Sequence, residues 1–359
     1  MLSSLWKKKA ARIVGIDIGS HEVKAVLLGQ NDQGYVLEDF AIEAMPRGAV
    51  IDREIQDIDA VAKIIAKVRK KILSSVKDCA AAVSGQTVIT KMIYMDASLS
   101  EDDLANQIEI EADSLIPFPL DEVSLDFETL DVNESHPRKV NVLLSAARTE
   151  SVAARVAALE SGGFKTKVVD VESYAISRSY DLCLPLLPDD APDKIVAMID
   201  IGAAMTLVSV SDAGVNAYSR DQLFGGEQYT RSIASYYNMS FEEAEMAKLG
   251  NDLPPNYTFD VLEPFNTILV QQIRRAIQMY LTTSGKDKVD YLALSGGTAM
   301  LEGLDNLLTQ ELGVHTVVAN PFSGMEIAEN VDQEALTKIS SQLTVAAGLA
   351  LRSFTPWHI

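Results

Sequence analysis

Cysteine, histidine and positive charge are what this 359-residue chain has least of. Its 2 cysteines, Cys79 and Cys183, lie far apart. That density argues against the disulfide framework of a secreted domain, although one Cys79–Cys183 pair stays open on sequence alone. Four histidines without ligand spacing argue against a zinc site. The 31 bases stand against 51 acids, a net charge of −20. Such a surface repels nucleic acid and anionic lipid, because both are bound through clustered Lys and Arg. No apolar run approaches the ~18 residues of a membrane span. Any anionic ligand must therefore be gripped by a local device. The start, MLSSLWKKKAAR, has the bases of a signal peptide, but Asp17 interrupts the apolar stretch that follows. The expectation is a soluble cytoplasmic chain with a frayed N-terminus. Leu2, Leu5 and Trp6 beside Lys7, Lys8 and Lys9 are a weaker candidate for touching a membrane or partner.

What is present is 47% hydrophobic sequence, enough for a sizeable core, in a chain longer than one usual domain. Residues 12–18, 22–29 and 35–44 read as a strand meander. Residues 57–72 read as a helix with Ile58, Val61, Ile65, Val68 and Ile72 on one face. Strand character returns at 80–96, 123–131 and 139–147. Between these, Ser100 caps a helix carrying Leu104, Ile108, Ala112 and Leu115, and Pro117 and Pro119 end it. Helices are expected at 150–162 and 172–182, flanking a strand at 165–170. Pro185, Pro188 and Pro192 mark a linker at 183–194. Further helices follow at 226–237, 241–249 and 260–284, the last with Phe265, Ile268, Ile273, Ile277 and Tyr280 at helical spacing. A strand at 289–295 leads into a glycine turn and two more helices, the last at 338–351.

Two stretches carry chemistry. IVGIDIGSHEVKAVLL, 13–28, and IVAMIDIGAAMTLVSV, 195–210, each end an apolar strand on Asp-Ile-Gly, turn, and resume. Either alone is weak, since aspartate-glycine turns are common; together they suggest two lobes of similar build with their turns meeting at a cleft. Converging backbone N–H groups in such a turn form an anion nest. Gly19 and Gly202 let phosphate oxygens approach, and Ser20 and Thr206 offer hydroxyl donors. Asp17 and Asp200 repel phosphate but can hold Mg²⁺ through its waters. Lys24 supplies a point charge. LALSGGTAMLEGL, 292–304, places Gly296 and Gly297 between a strand and a helix, where a flat ring can lie on the backbone, although a plain turn reads the same way in isolation. Glu245 and Lys248, at i, i+3, form a solvated ion pair or reach a ribose and a phosphate.

Three such motifs in this order resemble the actin, Hsp70 and sugar kinase superfamily. GIDIGSHEVK is similar to its first phosphate loop, DIGAAMT to its second and LSGGTAMLEG to its adenosine loop. VVDVESYAISRSY, 168–180, and AAGLALRS, 346–353, resemble its two connecting helices. Within it, LIPFPLDEVSLDF, 115–127, following an acidic amphipathic helix, is similar to the FtsA-like proteins, above all the PilM family of type IV pilus assembly. RSFTPWHI at the end lacks the long amphipathic helix expected of FtsA itself, so the resemblance favours the PilM family or a pilus-type relative serving an MSHA-like pilus or a secretion system.

The resemblance implies an α/β, two-lobed, actin-like (ribonuclease H-like) ATPase fold with an FtsA-type inserted subdomain. Residues 11–84 with 148–183 would form the first lobe, 85–147 the insert, and 184–340 the second lobe. Residues 341–359 would pack back on the first lobe. The implied cofactors are ATP and Mg²⁺, with His21, Ala203, Ala204, Gly226, Thr298 and Met300 joining the residues above at the nucleotide. Glu172 matches the acid that positions the attacking water in several members. The implied setting is cytoplasmic, at the inner-membrane platform, with membrane contact through partners and none with nucleic acid. The implied partners are the N-terminal tail of a PilN-type membrane protein, a PilC-type platform protein and the motor ATPases, with self-association as in FtsA filaments. One departure stands out: many hydrolysing members have GGGT in the second loop. Here Ala203 and Ala204 narrow the nest, and Met205 is expected to lengthen the turn. That favours ATP binding with slow or no turnover. A small-molecule kinase is the competing enzyme class, with Asp221 as the acid it would need.

Overall fold

The computed structural model describes residues 12–85, 88–133, 136–250 and 252–355. The basic N-terminal segment, together with residues 356–359, lies outside them. Two sheets carry the chain. The first runs Lys165–Val171, Asp78–Val83, Val14–Ile18, Glu22–Asn31, Gly34–Ala44 and Glu326–Ile327 in spatial order. The second runs His315–Val318, Tyr291–Ser295, Ile195–Ile201, Thr206–Asp212 and Val215–Gln222. In each, an antiparallel meander is extended by two parallel strands on the side of its first strand. The two halves thus share one strand order, as the repeated motif suggests.

Both first strands are buried along their whole length, so each must cover two apolar layers. Val14, Ile16 and Ile18 pack with Ile65 and Val68 of the helix Ile58–Lys71 and with Leu159 of the helix Thr149–Ser161. Ile195, Ala197, Ile199 and Ile201 pack with Phe265, Leu269 and Ile273 of the helix Glu263–Ser284. The alternate residues face the other way. Ile13 and Met198 join Ala175, Ile176, Val345 and Leu349 in a layer between the lobes, built on the connecting helices Glu172–Cys183 and Thr344–Ala350. Strand alternation therefore aims Asp17 and Asp200 at the interlobe side.

The connecting helices touch backbone to backbone. A Cβ on Gly348 would lie 1.8 Å from Ala175 O, and one on Gly15 would lie 2.1 Å from Ala346 O. Beside this crossing, buried Asp170 accepts from Arg352 Nε at 2.7 Å and pairs with Arg178, whose Nε donates to Gly348 O. Burial opposes the charge on Asp170, but the two guanidinium groups hold its carboxyl below the ordinary value. Its stabilisation is then present above about pH 4 and lost as pH falls through the depressed folded value. Asp170→Asn is expected to cost about 3 kcal/mol in urea denaturation at pH 7 by stranding two arginines. An unchanged midpoint would show the network to be dispensable.

The third sheet orders Ile89–Asp96, Lys139–Arg148 and Val123–Val132. The helix Glu101–Leu115, capped by Ser100, covers one face through Leu104, Ile108 and Ala112. Three local expectations need correction. Ile268 is 46% exposed because Leu269, one residue on, takes the inward position after Phe265. Ile58, at the start of its helix, is also partly exposed. The chain rejoins the first sheet at Glu326–Ile327, well before residue 341, and Phe322 and Leu336 pack against Val26 and Leu28. Cys79 and Cys183 are separate buried thiols, pushed up to about 12 by burial. Among the described residues no helix is long and apolar enough to cross a membrane.

Candidate functional site: a cleft between the two hairpin turns

The two turns are built alike. Ile18 pairs with Val23 and Ile201 with Thr206, enclosing Gly19–Glu22 and Gly202–Met205. In both, the glycine N–H donates to the fourth turn residue at 2.9 Å. Met205 therefore does not lengthen the second turn; it is buried, and the turns have equal length. Since each glycine N–H is used within its turn, the nest consists of the next two. The N–H groups of Ser20, His21, Ala203 and Ala204 have no protein acceptor among the described residues.

The turns face a cleft of about 450 Å³, within the range of small-molecule sites. Asp17, Gly19, Ser20, His21, Lys24 and Glu172 line it from the first-lobe side. Asp200, Gly202, Ala203, Ala204, Gly226, Glu245 and Lys248 line it opposite, and Gly296, Gly297, Thr298 and Met300 line its far end. Of the residues assigned to the nucleotide or metal from the sequence, Thr206 alone is absent. It sits opposite Ile201, whose side chain enters the second-lobe core with Phe224. Cross-strand partners share a face, so Thr206 is fully buried there and donates to Phe224 O at 2.7 Å. The cleft-facing positions are one residue along: Asp17 opposite Lys24, and Asp200 opposite Leu207.

Lys24 Nζ lies 3.1 Å from Asp17 Oδ2, and Asp200 Oδ1 accepts from Ser295 Oγ at 2.8 Å. Burial would lower the Lys24 pKa, but Asp17 and Glu22 raise it, so it stays charged. Burial pushes Asp200 up against the pull of Arg53. The described residues hold no cluster of three or more metal-ligating side chains. Two buried carboxylates fit a Mg²⁺ ion that keeps most of its waters and takes further oxygens from a phosphate; they do not form a protein cage.

The loops are cross-braced. Gly226 N donates to Gly202 O at 2.9 Å, so Gly226 supports the second turn while lining the cleft. Thr298 Oγ1 reaches Gly202 O at 3.3 Å. Gly296, at φ +87°, carries no side chain because a Cβ would lie 2.5 Å from Ile201 O. Gly297 has a helical φ of −66°, and a Cβ there meets nothing closer than Gln342 Cδ at 3.9 Å. Lys248 bonds Glu245 Oε2 at 2.7 Å and Thr230 Oγ1 at 2.9 Å, so the i, i+3 pair is part-buried at the cleft wall. At the mouth, His21 Nε2 lies 3.2 Å from Glu227 Oε1, and Arg47 pairs with Glu242 and stacks on Phe241, joining the lobes.

Arg53, Tyr229, Lys338 and Gln342 also line the cleft without having been singled out. Arg53 is the most consequential. Its guanidinium is buried, 2.9 Å from Glu172 Oε1, an ion pair whose angles fall outside those of a hydrogen bond. Burial pushes Glu172 up to about 7 despite Arg53, with Asp17 and Asp200 adding to the rise. Asp221 does not line the cleft; it accepts from Gly85 N at 3.2 Å.

Two sheets of one strand order, with paired glycine turns meeting at an interlobe cleft, define a two-lobed actin-like α/β fold. A family model described as type IV pilus assembly protein PilM matches residues 15–354. The chain belongs to that family. A solved PilM–PilN type IV pilus biogenesis complex contains a chain that is 26% identical, with a TM-score of 0.82. The match covers 97% of this chain and 100% of that one. The ethanolamine utilization protein EutJ from Carboxydothermus hydrogenoformans shares the fold at 16% identity and a TM-score of 0.55, covering 95% of this chain and 89% of that one. A diol dehydratase-reactivating factor, solved free of nucleotide, shares it at 10% identity and a TM-score of 0.52, covering 95% and 99%.

Proposed function

We propose that this type IV pilus assembly protein is a nucleotide-controlled cytoplasmic scaffold. It binds Mg-ATP in the cleft and the N-terminal tail of a PilN-type inner-membrane protein beside the inserted subdomain. The observation that carries the nucleotide reading is the pair of equal turns whose unpartnered N–H groups and two buried aspartates face one cleft. Ser20, His21, Ala203 and Ala204 would donate to phosphate oxygens, and Gly296 and Gly297 would leave room for the adenine ring. Mg²⁺, when bound, would neutralise phosphate charge beside Asp17 and Asp200. The Ala203 and Ala204 methyls narrow the second turn relative to a glycine run, which favours slow or absent hydrolysis.

The tail-binding reading rests on the relative solved with PilN and on an open sheet face. Ile93 and Met95 point into the core under the helix Glu101–Leu115. Met92 and Tyr94, at alternate positions, are 46% and 53% exposed on the opposite face. That face borders the first connecting helix, whose Tyr174 hydroxyl is buried near Ser145 and Thr90. A peptide seated there would contact both the insert and a helix that moves with the lobes. Nucleotide can control it only by favouring one lobe arrangement.

Fluorescence titration of a labelled PilN-type N-terminal peptide should show saturable binding that changes at least ~5-fold on adding Mg-ATP, an ordinary coupling. Absence of binding in both states would end the scaffold reading. The kinase alternative gains no support, because Asp221, the acid it would need, does not line the cleft and accepts from the Gly85 backbone.

A further inference from the structure

Arg53 reaches the cleft by an uncommon route. Val50–Ile51 and Glu54–Ile55 form a minimal hairpin, and its two turn residues, Asp52 and Arg53, have φ of 49° and 69°. Such a turn favours Asn-Gly, because a side chain in the left-handed region costs about 1 kcal/mol or more. The turn is nevertheless held firmly: Arg155, itself buried, donates to the Arg53 carbonyl and to Ala82 O, and Ser151 Oγ donates to Glu54 Oε2. The strained turn delivers one guanidinium across the cleft, with Nη2 3.9 Å from where a Cβ on Gly202 would stand. There it is paired with Glu172 and close enough to Asp17, Asp200 and Asp221 to feel their charge.

We propose that Arg53 is the residue by which the cleft tells a nucleoside triphosphate from a diphosphate. The inference rests on the nucleotide reading above. Without a terminal phosphate the guanidinium balances Glu172. With one, lodged between the two turns, it exchanges that carboxylate for phosphate oxygens, which match its planar fork of donors. A diphosphate lacks the terminal oxygens that would reach Arg53 and leaves the pair intact. Arg53 is carried by the first lobe and Gly202 by the second, so the exchange closes one lobe on the other.

The test is calorimetric titration of the full chain with Mg-ATP, Mg-ADP and the non-hydrolysable Mg-AMPPNP. Arg53→Ala should weaken ATP and AMPPNP by at least ~30-fold, about the value of a charge-assisted pair, and change ADP by less than ~3-fold. Because Arg53→Ala strands buried Glu172, the double variant Arg53→Ala with Glu172→Gln provides a second route. It removes both charges of the ion pair, so neither is left buried without the other; it should fold, as read by thermal denaturation, and show the same selective loss. Equal weakening of ATP and ADP in the folded double variant, or no change in either, overturns the proposal. Wild-type protein that binds none of the three overturns the nucleotide reading itself, which is visible before any variant is made.

Discussion

Gly297→Val is expected to fold normally and to lose nucleotide affinity by at least ~100-fold. Gly297 sits at a helical φ, and a Cβ there enters space where only the Gln342 side chain comes near, at 3.9 Å, so no backbone opposes its addition. The same space is the far end of the cleft, where two adjacent glycines leave the backbone bare for a ring. Three new carbons displace the ring from that surface, and the phosphate end cannot follow because the two turns fix it. Gly296→Val is the control. At φ +87°, with Ile201 O 2.5 Å from its Cβ position, it should misfold the strand end and lower thermal stability sharply. Binding of a fluorescent ATP analogue, read beside melting curves, separates the two. Wild-type affinity in folded Gly297→Val would mean that the ring lies elsewhere.

Gly348→Ala is expected to be the most damaging single methyl addition among these variants. The new carbon would fall 1.8 Å from Ala175 O, where the two connecting helices cross in backbone contact. Neither atom is the end of a flexible side chain, so one helix must move away. The layer between the lobes, with Ile13, Met198, Val345 and Leu349, opens with it. A loss of roughly 5 kcal/mol or more is expected, beyond ordinary overpacking. It should appear as poor accumulation of folded protein or a markedly lower denaturation midpoint. Gly324→Ala, whose Cβ would have Pro185 Cγ as nearest neighbour at 3.1 Å, should be mild by comparison. Equal effects at both positions would show that the helix crossing is not what limits stability.

Most of the site was legible because hairpins write themselves locally. An apolar strand ending in Asp-Ile-Gly, repeated once, names the residues on both walls of the cleft, and the strand period alone would have removed Thr206. It lies one position off the face that Asp200 occupies, and counting from Ile201 sends it into the core. Arg53 was not legible. Its hairpin is two residues on each side, and Asp-Arg carries none of the usual turn signature. Ile268 shows a different failure: two apolar residues in succession, Ile268 and Leu269, both satisfy helical spacing, and only the packed sheet chooses between them. Met205 was read as an extra turn residue by comparison with glycine-rich loops, whereas the ladder pairing sets the turn length.

The sequence by itself determined the two hairpins, their paired turns, the glycines at the far end of the cleft and the motifs that mark the family, because each depends on residues within a few positions of one another. Only the tertiary structure decided that the two aspartates face one cleft, that Arg53 is paired with Glu172, and that Gly15 and Gly348 hold the lobes together. Those facts join segments from opposite ends of the chain. Burial and steric fit bring them into contact only after each lobe has closed its own core, and no local spacing encodes which surfaces then meet.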